Sequence, residues 1–368
     1  MNKRIFVRRS AGGNQLRCIS RQALMTWIAL ALLSQIAICR NPVFLPNYRP
    51  EKKVSGVIRS WGSNHMETMM KYWEEGFRKY QPDVWFEDKL KGTASAQFGL
   101  HLNVADLALS GRQIFPYEYY GIYRRSQLYT IEIAVATGSY NVLSKSTAIG
   151  VFVNKNNPIS KLTLKQLDGI YGDQRNGGWQ VMDWNTDVAR TDKENIRTWG
   201  QLGLTGEWAN KRINVYGPPG LYPGGVSFFQ NRVMGGGDTW NESLQEFDDR
   251  KQMMEALGRD PYGIAYAAMT HITAQVKPVA LAEKPGGPYV EPTRKTVADR
   301  TYPLTRFAYI YFAPDQPNGD PADPKVDPKV KEFLRYILSR QGQQDVMREG
   351  DYLPLTFAVV REQLSKLE

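Results

Sequence analysis

One stretch, Ser60-Trp61-Gly62-Ser63-Asn64-His65-Met66-Glu67, carries the clearest chemical potential in this chain. It reads as the end of a strand, a glycine turn and the start of a helix. Apolar residues at Met66, Met69, Met70, Trp73 and Phe77 keep helical spacing on one face. Asn64 with Glu67 three residues on resembles a capping box, which starts the helix there. A helix opening on a Gly-Ser-Asn turn points unpaired backbone N–H groups at whatever stands before it, and that suits an anion. The plainer reading is that Ser63 or Asn64 only caps the helix. Similar turns recur at Gly92-Thr93-Ala94-Ser95-Ala96, at Ser110-Gly111-Arg112 and in the glycine- and proline-rich stretch from Gly217 to Gly225.

Catalytic chemistry finds less support. The three histidines, His65, His101 and His271, share no metal-ligand spacing, and the chain has neither a Gly-x-Ser-x-Gly elbow nor a phosphate-binding P-loop. His65 beside Ser63 can be drawn as base and nucleophile, but a cleft-wall or packing role is the simpler use. The reading is therefore not an enzyme, with no catalytic residue, no metal and no organic cofactor; a hydrolase is the remote alternative.

These turns need elements to hold them. Strands are expected at 54–59, 84–87 and 105–109, each followed by a small-residue turn, the pattern of a parallel α/β sheet that places ligands at strand C-terminal ends. The stretches 131–136 and 148–153 read as strands that cross between two lobes. Thr163 caps a helix bearing Leu164, Leu167 and Ile170 and ending near Gly172. Strands follow at 213–216, 263–266 and 307–312, with a helix at 226–233. Residues 278–300 read as irregular and 314–328 as a solvated loop. Val330, Phe333, Leu334, Ile337 and Leu338 mark a closing helix.

Composition places the protein outside the cytoplasm. Of the formal charge of +10, the first 40 residues supply +7 with no acid, leaving +3 on the rest. That distribution excludes a nucleic-acid stripe in the folded part. Arg21 ends a basic region, and 23–38 is uncharged and apolar, which reads as an export signal; a retained anchor is the competing reading. The order Ile36-Ala37-Ile38-Cys39 loosely resembles a lipoprotein box. With Cys18 in the same segment, no cysteine pair is left to staple the remainder. Residues 41–53 read as a linker.

From Ala148 to Gly172, with Asn156-Asn157-Pro158 and Leu162-Thr163-Leu164-Lys165-Gln166-Leu167, and again at Gly263-Ile264-Ala265-Tyr266, Tyr302-Pro303-Leu304-Thr305-Arg306 and Tyr352-Leu353-Pro354-Leu355, the chain resembles the periplasmic phosphate-binding proteins of ABC importers. The resemblance spans roughly 54–360. It implies a two-lobe periplasmic-binding-protein fold of type II, α/β, with two crossing hinge segments and the ligand between the lobes. Lobe 1 is expected at 54–145 plus 301–368, and lobe 2 at 146–300.

Carried over position by position, the resemblance implies ligand contacts at Ser63, Asn64, His65, Thr93, Ser110, Arg112, Gly224 and Gly225. The departures are specific. The third turn of the family has serine then aspartate, and here Gly111 and Arg112 follow Ser110. The fourth has arginine and then Ser-Gly-Thr, and here the turn reads Gly224-Gly225-Val226, with no arginine between Tyr216 and Gly225. Losing the aspartate removes an acceptor for a phosphate proton, which favours weaker discrimination against sulfate-like dianions. Arg112 either restores the missing charge on the ligand or pairs with Glu118. The expected function is capture of a small oxyanion, foremost phosphate, by an exported, monomeric carrier that serves an ABC permease and meets the membrane only through its N-terminus. The alternative is a sensor or interaction protein that keeps the fold without transport, with Tyr117, Tyr119, Tyr120 and Tyr123 as a partner surface.

Overall fold

The computed structural model describes residues 45–218, 224–315 and 324–368. The export segment at 1–40 with both cysteines, the first part of the expected linker, the tip of the glycine- and proline-rich stretch and most of the 314–328 loop lie outside the described residues.

In chain order the first unit holds β1 (Gly56–Gly62), α1 (Glu67–Phe77) after a 3-10 turn at Asn64–Met66, β2 (Val84–Lys89), α2 (Thr93–His101), β3 (Leu107–Ser110), α3 (Pro116–Ser126) and β4 (Ile131–Thr137). The second holds β5 (Ile149–Asn154), β6 (Lys161–Thr163), α4 (Leu164–Tyr171), β7 (Gly178–Gln180), β8 (Asp183–Asn185), β9 (Asn214–Gly217) and α5 (Gly225–Val233). It continues with β10 (Gln245–Glu246), α6 (Arg250–Arg259), β11 (Gly263–Ala268), β12 (Val276–Pro278), β13 (Ala280–Ala282) and α7 (Arg294–Ala298). The chain then returns to the first unit with β14 (Phe307–Phe312), α8 (Pro328–Ile337), α9 (Arg340–Glu349) and α10 (Phe357–Ser365).

Two five-stranded sheets result, ordered β2-β1-β3-β14-β4 and β10-β9-β11-β5-β12. In the first, β1, β2 and β3 run parallel, whereas β14 is antiparallel to both β3 and β4. In the second, β9 is parallel to β10 and β11, and β5 is antiparallel to β11 and β12. Each sheet has its own core. Met69, Met70, Trp73 and Phe77 of α1 are fully buried with Phe333, Leu334 and Ile337 of α8, while Leu167, Ile170, Phe229 and Leu257 belong to the core on the second sheet. A side chain of this size contributes about 2 kcal/mol when fully buried, so each sheet carries its own stabilising core.

The sheets are joined where two segments cross side by side. The stretch after β4 donates backbone bonds to the stretch before β14, Gly138 N–H to Arg306 O at 2.9 Å and Ile149 N–H to Leu304 O at 3.1 Å. The Tyr302 hydroxyl adds a bond to the Ile149 carbonyl at 3.0 Å. A second contact between the units comes from the β7–β8 hairpin, whose turn residue Met182 packs on a small core of the first unit that includes Ile114, Tyr119 and Tyr309.

Several local expectations need correction. The Asn64–Glu67 capping box does not form: Ser63 holds the cap position of the 3-10 turn, and neither it nor Asn64 makes a side-chain cap bond. Thr163 does cap α4, its hydroxyl accepting from Gln166 N–H at 3.1 Å. Residues 45–53 have no regular structure but are tied down, with Leu45 and Tyr48 buried and the Tyr48 hydroxyl donating to Glu332 at 2.5 Å. The region 278–300 is not wholly irregular, since it contains β13 and the short α7. Two further helices, α9 and α10, follow the expected closing helix. The polar run Arg340–Glu349 concealed α9, which buries Gly342, Gln343 and Val346.

Gly62 shows how tightly the first turn is set. Its φ is +136°, and a Cβ there would lie 2.1 Å from the Leu109 carbonyl oxygen. Gly62→Ala should therefore cost about 3 kcal/mol in urea unfolding, through both backbone strain and the broken β1–β3 approach. A loss under about 0.5 kcal/mol would show that the turn can relax.

Candidate functional site

The C-terminal end of β1 places Ser63 next to β3, where its N–H bonds the Leu109 carbonyl at 2.9 Å. That donor is spent on the sheet, so Ser63 offers its hydroxyl to the cleft. The opening N–H groups of the following turn, at Asn64 and His65, have no partner within the turn. The end of β2 leads to Gly92, at φ +117°, and then to α2, which starts at Thr93 with no side-chain cap. On the second sheet, β9 leads to Gly224, at φ +96°, and α5 starts at Gly225. Uncapped helix starts thus come from both units, and each presents positive dipole and free donors.

These starts face one cleft of about 540 Å³ between the sheets. Ser63, His65, Thr93, Gly111 and Arg112 line it from the first unit, and Gly224, Gly225, Val226 and Tyr266 from the second. The crossing segment adds Ser144, Ser146 and Thr147, with Ser144 at φ +67° and Ser146 at φ +49°. The Ser146 hydroxyl donates to the Gly111 carbonyl at 3.0 Å, and the Thr147 hydroxyl to the Val142 carbonyl.

Two residues expected at the site are turned elsewhere. The Ser110 hydroxyl donates to the Arg112 carbonyl at 2.7 Å, and Ser110 is not part of the cleft wall. Asn64 is exposed and likewise absent from that wall. Arg112 reaches the wall, but its guanidinium is held by Glu118 through two bonds of 2.8 Å and rests 3.8 Å above the Phe115 ring. Of the two roles open to Arg112, its charge therefore serves Glu118.

The cation that the spacing did not single out is Arg306. It stands at the last position of the returning crossing segment, immediately before β14, and lines the cleft. One of its terminal nitrogens donates to the Gly111 carbonyl at 2.9 Å, and the same nitrogen lies 3.3 Å from where a Cβ on Gly224 would sit. Among the described residues no carboxylate pairs with it, and burial pushes the guanidinium down to about 10. Arg300 stacks 3.2 Å above Phe307, donates to the Arg306 carbonyl and is pushed down to about 9 by the same cause. In the sequence Arg306 closes the Tyr302-Pro303-Leu304-Thr305-Arg306 piece of the family resemblance, which gave it no ligand role.

Arg250, His271 and Asp248 complete the charged and titratable lining from the second unit. Arg250 donates to the Phe247 and Asp248 carbonyls, and His271 is pushed below its ordinary value by burial and by Arg250. Asp248 is exposed to solvent. Among the described residues no cluster of three or more His, Cys, Asp or Glu is arranged to hold a metal ion. The arrangement collects donors and positive charge around a small space, which is the chemistry of anion capture.

Comparison with known proteins agrees with this layout. A family model described as PBP superfamily domain matches residues 48–341. The chain is 29% identical to the phosphate-binding protein PstS of Pseudomonas aeruginosa, over 94% of this chain and 97% of that one. It is 22% identical to PstS of Staphylococcus saprophyticus, with 86% of each covered. The crystal structure of PstS from Borrelia burgdorferi superposes with a TM-score of 0.50 at 15% identity, covering 82% of this chain and 99% of that one, a likeness of fold.

The Arg112–Glu118 pair makes a direct prediction. Both side chains are about nine-tenths enclosed. Arg112→Ala strands a buried carboxylate and should cost about 3 kcal/mol in chemical unfolding, while changing anion affinity by less than about tenfold. A large affinity loss in a variant of unchanged stability would return Arg112 to the ligand.

Proposed function

The chain belongs to the PBP superfamily, and from that premise we propose that it is a solute-binding protein that captures phosphate between its two lobes for an ABC importer. The observation that carries this reading is Arg306, a largely buried guanidinium with no carboxylate partner among the described residues, where the crossing segment meets the helix starts at Thr93 and Gly225. A buried charge lacking a counter-charge is costly, and an anion in the cleft would supply one. The Ser63 and Thr93 hydroxyls, the opening N–H groups of α2 and α5 and the Arg306 guanidinium would share the oxygens of a tetrahedral anion. Glycine at 224 lets the backbone approach, at a φ that other residues rarely adopt.

On this reading the lobes comprise 54–145 plus 301–368 and 146–300, and they hinge about the paired crossing segments. The protein is a carrier and not a catalyst, exported by its N-terminal segment, retained outside the cytoplasm and monomeric, with an ABC permease as partner. Among the described residues no helix is long and apolar enough to cross a membrane.

Calorimetric titration of anion-free protein with phosphate should show one site, and Arg306→Met should weaken it by at least about 100-fold. The same variant gives a stability readout. Because the folded value for Arg306 lies below that of the free side chain, folding with the charge in place is penalised below about pH 10, and the penalty fades as pH rises through that value. Ligand-free Arg306→Met should therefore melt no lower than the parent at neutral pH, and any advantage should shrink in alkali. A marked drop in melting temperature would make Arg306 a structural post. No phosphate heat from folded protein would move the reading to an interaction protein.

A further inference from the structure

We propose that the β7–β8 hairpin is a strap that resists parting of the two units, so that Met182 at its tip sets how fast a captured anion leaves. The inference rests on the anion-capture reading and concerns the motion that releases the ligand. Movement about the paired crossing segments is the motion this fold allows, and a contact made away from them opposes it with leverage.

The base of the hairpin is fixed to the second unit. The Trp179 N–H donates to the Gly236 carbonyl at 3.2 Å, and a Cβ on Gly236 would stand 2.0 Å from the Trp179 carbonyl oxygen. A Cβ on Gly178 would likewise meet the Gly235 carbonyl oxygen at 2.6 Å, so two backbones touch where only glycine leaves room. Just outside the hairpin, Arg175 and Arg190 exchange backbone bonds of 3.1 and 2.9 Å. The Arg175 guanidinium donates to both carboxylate oxygens of Asp168 in α4, at 2.7 and 2.8 Å. Trp179 and Trp184 stand opposite each other on the two strands and meet edge to face at 5.3 Å. A base held in this way moves with the second unit.

The tip reaches the other unit. Val181 and Met182 form the turn between the strands, and Val181 has φ +57°, a left-handed angle that a β-branched residue rarely takes. Such an angle persists where the surroundings over-determine it. Val181 is exposed, whereas Met182 is half-buried against the small core of the first unit that holds Ile114, Tyr119 and Tyr309. A methionine suits a contact that must form and break. Its unbranched thioether adapts to an apolar patch, and it strands no polar group when it leaves.

The hairpin also bridges a gap. From Gly111 and Arg112 the first unit's wall continues as Gln113 to Pro116, and from Gly225 and Val226 the second unit's wall continues along α5 to Asn231. These continuations line a further cavity of about 360 Å³, whose wall also includes Trp179, Gln180 and Val181. Asn231 lies about 9 Å along the helix axis from Gly225, which gives the tip its lever arm. With Met182 seated, the two units are linked across this space. Parting them lifts it off the first unit, so the contact favours the seated arrangement and slows departure of the ligand more than its arrival.

The test is release of labelled phosphate from the loaded full chain, chased with excess unlabelled phosphate and followed by rapid filtration. Met182→Ala should speed release by about fivefold or more, with the association rate changed by less than about twofold. Met182→Leu keeps the apolar bulk and should stay within about twofold of the parent. Unchanged release in folded Met182→Ala would overturn the strap and leave anion capture standing. Faster release shared by Met182→Leu, with a lower melting temperature in both, would make Met182 a structural residue and overturn it too. If the folded parent binds no phosphate, the capture reading fails, and small-angle scattering of the ligand-free proteins decides the strap. A larger radius of gyration in Met182→Ala then supports it, and an equal one sinks it. Should Met182→Ala fail to fold, Met182→Gln is read in its place against the same outcomes.

Discussion

The hydrogen bond from the Arg306 guanidinium to the Gly111 carbonyl sets the character of this molecule. It brings a charge carried by the returning crossing segment against the turn that ends β3, beside the segment that joins the two sheets. Nothing in the described structure neutralises that charge with a carboxylate. The hydroxyls and open helix starts around it cannot do so either, because all of them present donors or partial positive charge. The described residues around Arg306 consequently leave positive charge facing the cleft, which suits the anion proposed for it.

The remaining architecture follows from holding that charge in place. Gly138 and Ile149 donate to carbonyls of the returning segment, so Arg306 is anchored through its backbone while its side chain reaches the cleft. Gly62 and Gly224 sit at backbone angles that bring Ser63 and the start of α5 close to the same point. The separate cores on the two sheets keep these anchors on rigid supports, and the crossing segments are the natural place for relative movement. Met182, reaching from the β7–β8 hairpin to the first unit, adds a contact that any such movement must break or slide.

Arg112 illustrates how tertiary packing redirects a residue of suggestive type. Its position beside a turn invited a role in charge compensation within the cleft. Glu118, six residues on in α3, is close enough to accept from both terminal nitrogens of the guanidinium, and Phe115 covers one of its faces. A bidentate enclosed pair outcompetes a ligand that is present only part of the time.

By itself, the sequence determined the α/β class, the run of strands ending in small-residue turns, the apolar faces of α1, α4 and α8, and the cap at Thr163. These depend on periodicity and local hydrogen bonding, which lie within a few residues of one another. It also carried the resemblance to phosphate-binding proteins and the turns at Ser63, Thr93 and Gly224. Only the tertiary structure decided which donors face the cleft. Ser110 and Asn64 have suitable side chains, yet one bonds its own loop and the other faces solvent. Arg306 is about 195 positions from Gly111, whose carbonyl it bonds, and no local pattern could announce that meeting. Burial, pairing and charge compensation are properties of contacts between distant segments, and those contacts exist only once the two sheets have formed and crossed.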